Sequence, residues 1–279
     1  MTTNDSTATA GAFLQWATKV LSEADIPTSR LDSLILMEDV LAKDRAHLLT
    51  HPELLINEVQ LRTLHKLVDQ RKEHTPIAYL RGKVMFYGRN FFVTRDTLVP
   101  RPESEDMITL LKTELRNSGS LAIADIGTGS GCLGITAALE LHKCTLGLYD
   151  IDAKTLTVSK MNTQLLGVSG VRYFHEDLLS KALHRRYDVV LANLPYVPDG
   201  YAINKDAEFE PKVALFSGVD GLDDYRTFWC QVEGFATKPR YILTESQPET
   251  QHAALVTLAT TAGYEPKETL GFIQLFSLA

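Results

Sequence analysis

An apolar stretch, Leu121–Ile126, runs into Gly127-Thr128-Gly129-Ser130-Gly131 and out again into a second apolar stretch at 133–141. Glycines at alternate positions permit a sharp turn and a close backbone approach, so a strand hands over to a helix within one short loop. The alternation continues downstream. Residues 145–149 read as a strand and 153–166 as a helix. Residues 171–174, 187–192 and 241–244 read as further strands, with a helix from about 225 to 235 before the last. Strands separated by helices are joined by crossovers, which make the sheet mainly parallel and cover both its faces. The expected class from residue 103 to 279 is α/β, with a Rossmann-like sheet.

Ahead of residue 80 the periodicity is helical. Phe13, Leu14, Ala17, Val20 and Leu21 recur at helical spacing until Pro27. Leu31, Leu34, Ile35, Met37 and Leu41 repeat the pattern, with Ser29 placed to cap them. Val59, Leu61, Leu64, Leu67 and Val68 give a third stripe across 58–71. Residues 1–80 are thus a small N-terminal helical domain, too small to be more than marginal alone and expected to pack on its neighbour. Between the two parts, residues 84–93 are aromatic and β-branched around Gly88-Arg89-Asn90, which predicts a β-hairpin. Pro100 and Pro102 stiffen the backbone around Arg101, making 81–102 a hairpin linker. The first ten residues lack the basic and apolar regions of a signal peptide, and the first few are expected to be a frayed tail.

The second strand of the α/β part ends in Tyr149-Asp150-Ile151-Asp152. An acid about twenty residues beyond a glycine loop is placed to accept hydrogen bonds from ribose hydroxyls, which suits NAD and S-adenosylmethionine equally. The bland alternative, a helix cap, is better filled by Asp152. The third strand is followed by Asp177 and Leu178, which could meet the amino group and the ring of an adenine; a solvated turn acid is the alternative for Asp177. The fourth strand ends in Asn193-Leu194-Pro195-Tyr196. Pro195 biases Leu194 to an extended conformation, so the Leu194 carbonyl and the Asn193 side-chain oxygen can both accept from one incoming NH2 group. Tyr196 adds a flat surface for a planar amide or base. Alone, this tetrad could be a proline turn with a capping Asn; here it follows the loop and two acids in order.

That order resembles the amino-methyltransferases acting on planar nitrogen, which include N6-adenine enzymes and protein-glutamine N5 enzymes. Further segments narrow the likeness. Thr75-Pro76-Ile77-Ala78-Tyr79-Leu80, Phe86-Tyr87-Gly88, Leu98-Val99-Pro100-Arg101-Pro102-Glu103, and Glu208-Phe209-Glu210-Pro211 with Gly218 and Gly221-Leu222 together resemble the PrmC/HemK family. The likeness runs over nearly the whole chain until about Thr244. It implies a class I methyltransferase sheet that uses S-adenosyl-L-methionine. It implies transfer of a methyl group to the glutamine N5 of the Gly-Gly-Gln motif in class I peptide chain release factors, in the cytoplasm. It also implies residue roles. Gly127, Thr128, Gly129, Ser130 and Gly131 would hold the methionine part of the cofactor, Asp150 the ribose, and Asp177 with Leu178 the adenine. Asn193, Leu194, Pro195 and Tyr196 would take the substrate glutamine, Asn193 also touching the cofactor. Two segments depart from the family. Leu194 stands where proline is usual, so Leu194→Pro is expected to be tolerated. Glu245-Ser246-Gln247-Pro248 and Leu270-Gly271-Phe272-Ile273 lack the usual glycine and charged-residue pattern.

Other chemistries find less support. The tetrad alone fits an N6-adenine methyltransferase of RNA or DNA, and a sister family methylates a ribosomal protein. The net charge of -7 and the release-factor-type flanks argue against the nucleic-acid reading, so direct nucleic-acid binding is not expected. A non-catalytic binding module is disfavoured by the intact glycines and acids. The three cysteines form no C-x-x-C pair and suit a reducing compartment. His47 and His51 are interrupted by Pro52 and have no third ligand, so no metal is expected. The glycine loop lacks a Gly-Lys-Ser/Thr ending, and no apolar run would span a bilayer.

Overall fold

The computed structural model describes residues 8–116, 118–141, 143–182 and 184–279. Residues 1–7, which hold most of the expected tail, lie outside the described residues. Two compact units emerge. One takes the chain up to Gly82 together with Asn204–Phe209; the other takes Lys83–Ile203 and Glu210–Ala279. The division differs from the sequence expectation in two places. The hairpin goes with the second unit, and a short segment from beyond residue 200 joins the first.

The first unit holds β1 (Ala8–Thr9), α1 (Ala10–Glu23), α2 (Ser29–Leu41), α3 (Arg45–Thr50), β2 (Leu55–Ile56), α4 (Glu58–Lys72) and α5 (Ile77–Arg81). Phe13, Ala17, Leu21, Leu34, Met37, Leu64 and Val68 form its core. Leu31 and Val59, read as part of the apolar stripes, face solvent instead. Asn57 and Gln60 close a reciprocal capping box on α4, which satisfies two otherwise orphaned backbone donors. Ser29 is not the cap of α2. Thr28 holds that position, and its hydroxyl donates to Asp32 at 2.9 Å rather than accepting from the helix. Asp32 is itself spoken for: Arg71, buried in the same unit, donates to it at 2.7 Å. Arg71 also reaches Asp206 at 2.8 Å and the Thr75 carbonyl at 3.2 Å.

The second unit opens with β3 (Lys83–Phe86) and β4 (Arg89–Phe92). Phe86 pairs with Arg89, so the turn is Tyr87-Gly88, one step earlier than the expected Gly-Arg-Asn. Both turn residues have positive φ, as a two-residue hairpin loop matching strand twist requires. Then come α6 (Glu105–Leu115), β5 (Leu121–Ile126), α7 (Cys132–Leu141), β6 (Cys144–Asp150), α8 (Ala153–Leu165), β7 (Val171–His175), β8 (Val189–Ala192), α9 (Asp223–Glu233), β9 (Tyr241–Glu245), α10 (His252–Thr261), β10 (Tyr264–Leu270) and β11 (Ile273–Leu278). The last two strands and α10 lie outside the alternation expected from the sequence, as does α6, although Met107, Ile108, Leu111 and Leu115 give it an apolar stripe at helical spacing.

The seven strands lie in the order β10-β11-β9-β8-β5-β6-β7. β5 to β9 are mutually parallel, and β11 and β10 return antiparallel at one edge. Alternate residues feed opposite faces. Ala124, Ile126, Val190 and Ile242 pack with Tyr225, Phe228 and Trp229. Ile123, Leu148, Val189 and Leu243 pack with Ile108, Leu111 and Leu133, joined by Phe86 and Phe91 of the hairpin. Chain order reverses between β5 and β8. In an open parallel sheet such a reversal leaves a crevice at the carboxyl ends of the two strands. The glycine loop follows β5 and the Asn193 tetrad follows β8, so sheet topology brings both to the crevice. Among the described residues no helix is long and apolar enough to cross a membrane.

Candidate active site

A cavity of about 370 Å³ opens at these strand ends. Gly127, Gly129 and Asp150 form part of its wall; Asp177 and Leu178, and Asn193, Leu194 and Pro195, form others. Thr128, Ser130, Gly131 and Tyr196 do not line it. Thr128 is buried, its hydroxyl donating to Asp125 at 2.7 Å. Ser130 is buried beneath the loop, and Gly131 leads into α7. Tyr196 donates its hydroxyl to Glu245 Oε1 at 3.2 Å. A second hollow of about 500 Å³ is lined from the starts of β5, β6 and β7 with three arginines, and none of the residues named for chemistry reaches it.

On the loop side the geometry is short-range. Asp150 Oδ2 accepts from the Gly129 amide at 3.0 Å, and Oδ1 accepts from the Asp152 amide at 3.0 Å. A carboxylate has about four acceptor sites, so each oxygen keeps capacity for a hydroxyl in the cavity. Burial pushes the Asp150 carboxyl up from its ordinary value. Asp152 caps α8 by accepting from the Lys154 amide at 2.8 Å. Asp125, one residue before the end of β5, ties the loop from below. It accepts from Thr128 Oγ1 and, at 2.9 Å, from the Gly134 amide. Burial lifts its carboxyl to about 6. Leu178 sits in the left-handed region at φ 49°, and the next amide is fixed by Gln231 Oε1 at 2.7 Å. A leucine held there bears a strain of roughly 1–2 kcal/mol, as side chains presented at binding sites often do.

The tetrad side is assembled from distant residues. Ala192 pairs with Thr244 across β8 and β9, so Asn193 and Glu245 leave their parallel strands side by side. Asn193 Nδ2 donates to Glu245 Oε2 at 2.9 Å and to Ser104 Oγ at 3.2 Å. That occupies the NH2 end of the carboxamide and leaves Oδ1 as its remaining polar atom. The Leu194 amide donates to the Tyr225 hydroxyl at 3.3 Å, and that hydroxyl donates to the Glu245 carbonyl. Gln251 Nε2 donates to the Tyr196 carbonyl at 2.8 Å. Gly221 packs against the same carbonyl so closely that a Cβ there would overlap its oxygen. Burial pushes the Glu245 carboxyl up, and the Tyr196 hydroxyl likewise.

One further clasp closes the wall. Glu210 accepts from the Val99 amide at 3.1 Å and from Arg101 at 2.6 Å. It thereby joins two segments that the sequence could only mark as motifs. Sequence reasoning missed Asp125, Glu245, Tyr225, Gln251 and Ser104. Asp125 had a signal, an acid inside an apolar strand directly before a glycine loop. Glu245 had one too, an acid directly after the largely apolar run Tyr241-Ile242-Leu243-Thr244, but it lay in a segment read only as a departure. Tyr225 and Gln251 had none. Among the described residues no group of three or more His, Cys, Asp or Glu is placed to hold a metal ion.

The cavity matches the parts of S-adenosylmethionine. Two carboxylates, Asp150 and Asp177, suit hydroxyl and amino donors, Leu178, Val213 and Phe216 offer apolar surface to a base, and the bare Gly127 and Gly129 backbones leave room for an amino-acid tail.

Comparison with known proteins bears on the same residues. Residues 12–82 match the PrmC N-terminal domain and 104–208 the methyltransferase small domain. The release factor glutamine methyltransferase of Coxiella burnetii is 32% identical over 85% of this chain and 85% of its own length. That of Bacillus cereus is 36% identical over 83% and 84%, and that of Bacillus subtilis 34% over 77% of each. Among solved structures, the hMettl16 catalytic domain in complex with MAT2A 3′UTR hairpin 6 aligns with a TM-score of 0.54 at 11% identity. The alignment covers 81% of this chain and 84% of that one. At that identity the likeness establishes the fold alone, a class I methyltransferase sheet.

Proposed function

The chain belongs to the release factor glutamine methyltransferase family, and from that premise we propose how its residues divide the work at the strand ends. It is an S-adenosylmethionine-dependent methyltransferase that modifies the side-chain amide nitrogen, N5, of a protein glutamine. Its partner is a class I peptide chain release factor, met in the cytoplasm, and the target is the glutamine of the Gly-Gly-Gln motif. Bound S-adenosylmethionine supplies a methyl group on a sulfonium, an electrophile that needs alignment rather than activation. Asp150 holds the ribose hydroxyls, Asp177 and Leu178 the adenine, and the Gly127 and Gly129 backbone the methionine end.

An amide nitrogen is a weak nucleophile because its lone pair is delocalised into the carbonyl. Asn193 Oδ1 and the Leu194 carbonyl each accept one hydrogen of the glutamine NH2 and turn its lone pair toward the electrophile. Alignment of this kind can contribute roughly 7–11 kcal/mol in favourable cases. The proton leaves after transfer, when it has become acidic, so no strong base is required of the chain. Among the described residues the helical unit up to Gly82 carries no comparable group, and it seats the protein partner.

The observation that carries this proposal is the Asn193 carboxamide, whose NH2 is occupied by Glu245 and Ser104 so that the oxygen is left for a donor. The test uses labelled S-adenosylmethionine with a release factor and with the same factor carrying alanine for the Gly-Gly-Gln glutamine. Label is expected only in the first, on N5 by mass spectrometry. Equal labelling of both would show that this glutamine is not the target.

A further inference from the structure

We propose that Glu245 is a positioning residue for methyl transfer: its carboxylate fixes which face of the Asn193 carboxamide meets the substrate. The proposal rests on the role given to Asn193 above and names what enforces it.

The two ends of a carboxamide are almost the same size, so packing alone does not choose between them. An ionised carboxylate only accepts hydrogen bonds. Placed 2.9 Å from Asn193, it admits the NH2 end and repels the oxygen. Glu245 is 1% exposed, and among the described ion pairs no lysine, arginine or histidine joins it. Its partners are neutral donors. Asn193 takes Oε2 and Tyr196 takes Oε1, and the Ser104 hydroxyl lies beside the carboxylate as a further neutral donor group. A buried carboxylate without a cation costs stability, and replacing it by a neutral group is often harmless or favourable to the fold. Its presence at this position is therefore better explained by orientation than by stability. The same group holds Asn193 and Tyr196, the two polar side chains of the tetrad, through its two oxygens. One carboxylate thus sets the register of both ends of the tetrad against each other.

The polarity of the pair can be reversed. In Glu245→Gln the introduced amide can present either end, so the Asn193 carboxamide can flip with it and turn its NH2 toward the substrate. Asn193→Asp with Glu245 intact brings two carboxylates together. In the double variant, the amide introduced at position 245 would donate to one oxygen of the carboxylate at position 193, and the other oxygen would again face the cavity as an acceptor.

The experiment measures turnover, KM for S-adenosylmethionine and melting temperature for the full-length chain with a release-factor substrate. Glu245→Gln is expected to lower turnover about tenfold, with KM for the cofactor within about twofold and melting temperature unchanged or raised. Asn193→Asp is expected to lose about a hundredfold, and the double variant to recover to about the level of Glu245→Gln or better. A melting temperature that holds while turnover falls is not what a purely structural residue would give. Wild-type turnover in folded Glu245→Gln, or a double variant no more active than Asn193→Asp, would overturn the proposal. If Glu245→Gln fails to fold, the double variant decides alone. Should Asn193→Ala keep full turnover, the role of Asn193 itself fails; should Asn193→Ala be inactive while Glu245→Gln is normal, only the present inference fails.

Discussion

The two sides of the cavity are each braced by one buried carboxylate, and the two braces are built differently. Asp125 is bonded to Thr128 and Gly134, its near neighbours in the chain. Glu245 is bonded to Asn193 and Tyr196, which reach it from another strand. The loop side is a local structure, set by a strand, alternate glycines and a helix start. The tetrad side exists only when β8 and β9 are paired and Tyr225 and Gln251 have closed on it. Such assembled sites place a side chain accurately at the cost of depending on residues far away in sequence.

The sharpest way to break this contrast is a pair of substitutions. Asn193→Ala should lower turnover by roughly 2.7–4 kcal/mol, the range seen when one preorganised transition-state contact is removed, while leaving cofactor affinity near wild type. Asp150→Ala should do the reverse, weakening S-adenosylmethionine by roughly 1.5–3 kcal/mol, the worth of hydrogen bonds to a charged group. Calorimetry of both variants beside single-turnover rates separates the two. Equal losses in both quantities would mean that the two sides do not act separately.

A smaller effect is expected at Leu194. From sequence alone, proline there looks harmless because the carbonyl is retained. The structure changes that expectation, since the Leu194 amide donates to Tyr225 and its side chain is buried against Gly127. Proline removes the N–H, and Leu194→Pro should cost about 1 kcal/mol of stability while sparing most turnover. A variant as stable as wild type would show that the Tyr225 bond does not brace the tetrad.

The smallest effect concerns pH. Burial raises Asp125 to about 6 and raises Glu245 as well, so the folded state binds these protons more tightly than the unfolded chain. The Asp125 contribution to stability is full below the unfolded carboxylate range near 4 and is lost as pH rises toward 6, and that of Glu245 falls in the same direction. Thr128, Cys132 and Asp150 face Asp125, while Glu103, Ser104, Cys132, Tyr196 and Tyr225 face Glu245. Glu140, held down by Lys112, and Asp220, held down by Arg226, pull the opposite way. The net slope is therefore shallow. Melting temperatures of wild type and Asp125→Asn between about pH 4 and 7 should differ by a few degrees in slope, the variant lacking the rise toward acid. Parallel curves would show that Asp125 does not titrate in this window.

How far the sequence could be read follows the same division. Leu121–Ile126, the glycine loop and Asp150 belong to one continuous stretch whose pattern dictates its own geometry. The tetrad was visible because its proline and aromatic residues are rare at a strand end. What braces it was not, because a lone Glu245, a tyrosine in an amphipathic helix and a glutamine in a polar turn have no periodicity to mark them. Thr128 and Ser130 mislead for a related reason. Composition makes the whole loop look like a binding surface, whereas its alternating backbone turns those two side chains inward. The antiparallel pair β10 and β11 was missed because β10 is solvent-facing over most of its length and lacks apolar alternation.

The first unit closes on a residue that the ribosome delivers late. When the chain has emerged as far as Gly82, Arg71 has Asp32 but not yet Asp206, which follows only after β5 through β8 have been made. The helical bundle therefore leaves the exit tunnel with one half-buried partner of the buried Arg71 still to come, and completion of that charge cluster waits on the synthesis of β5 through β8.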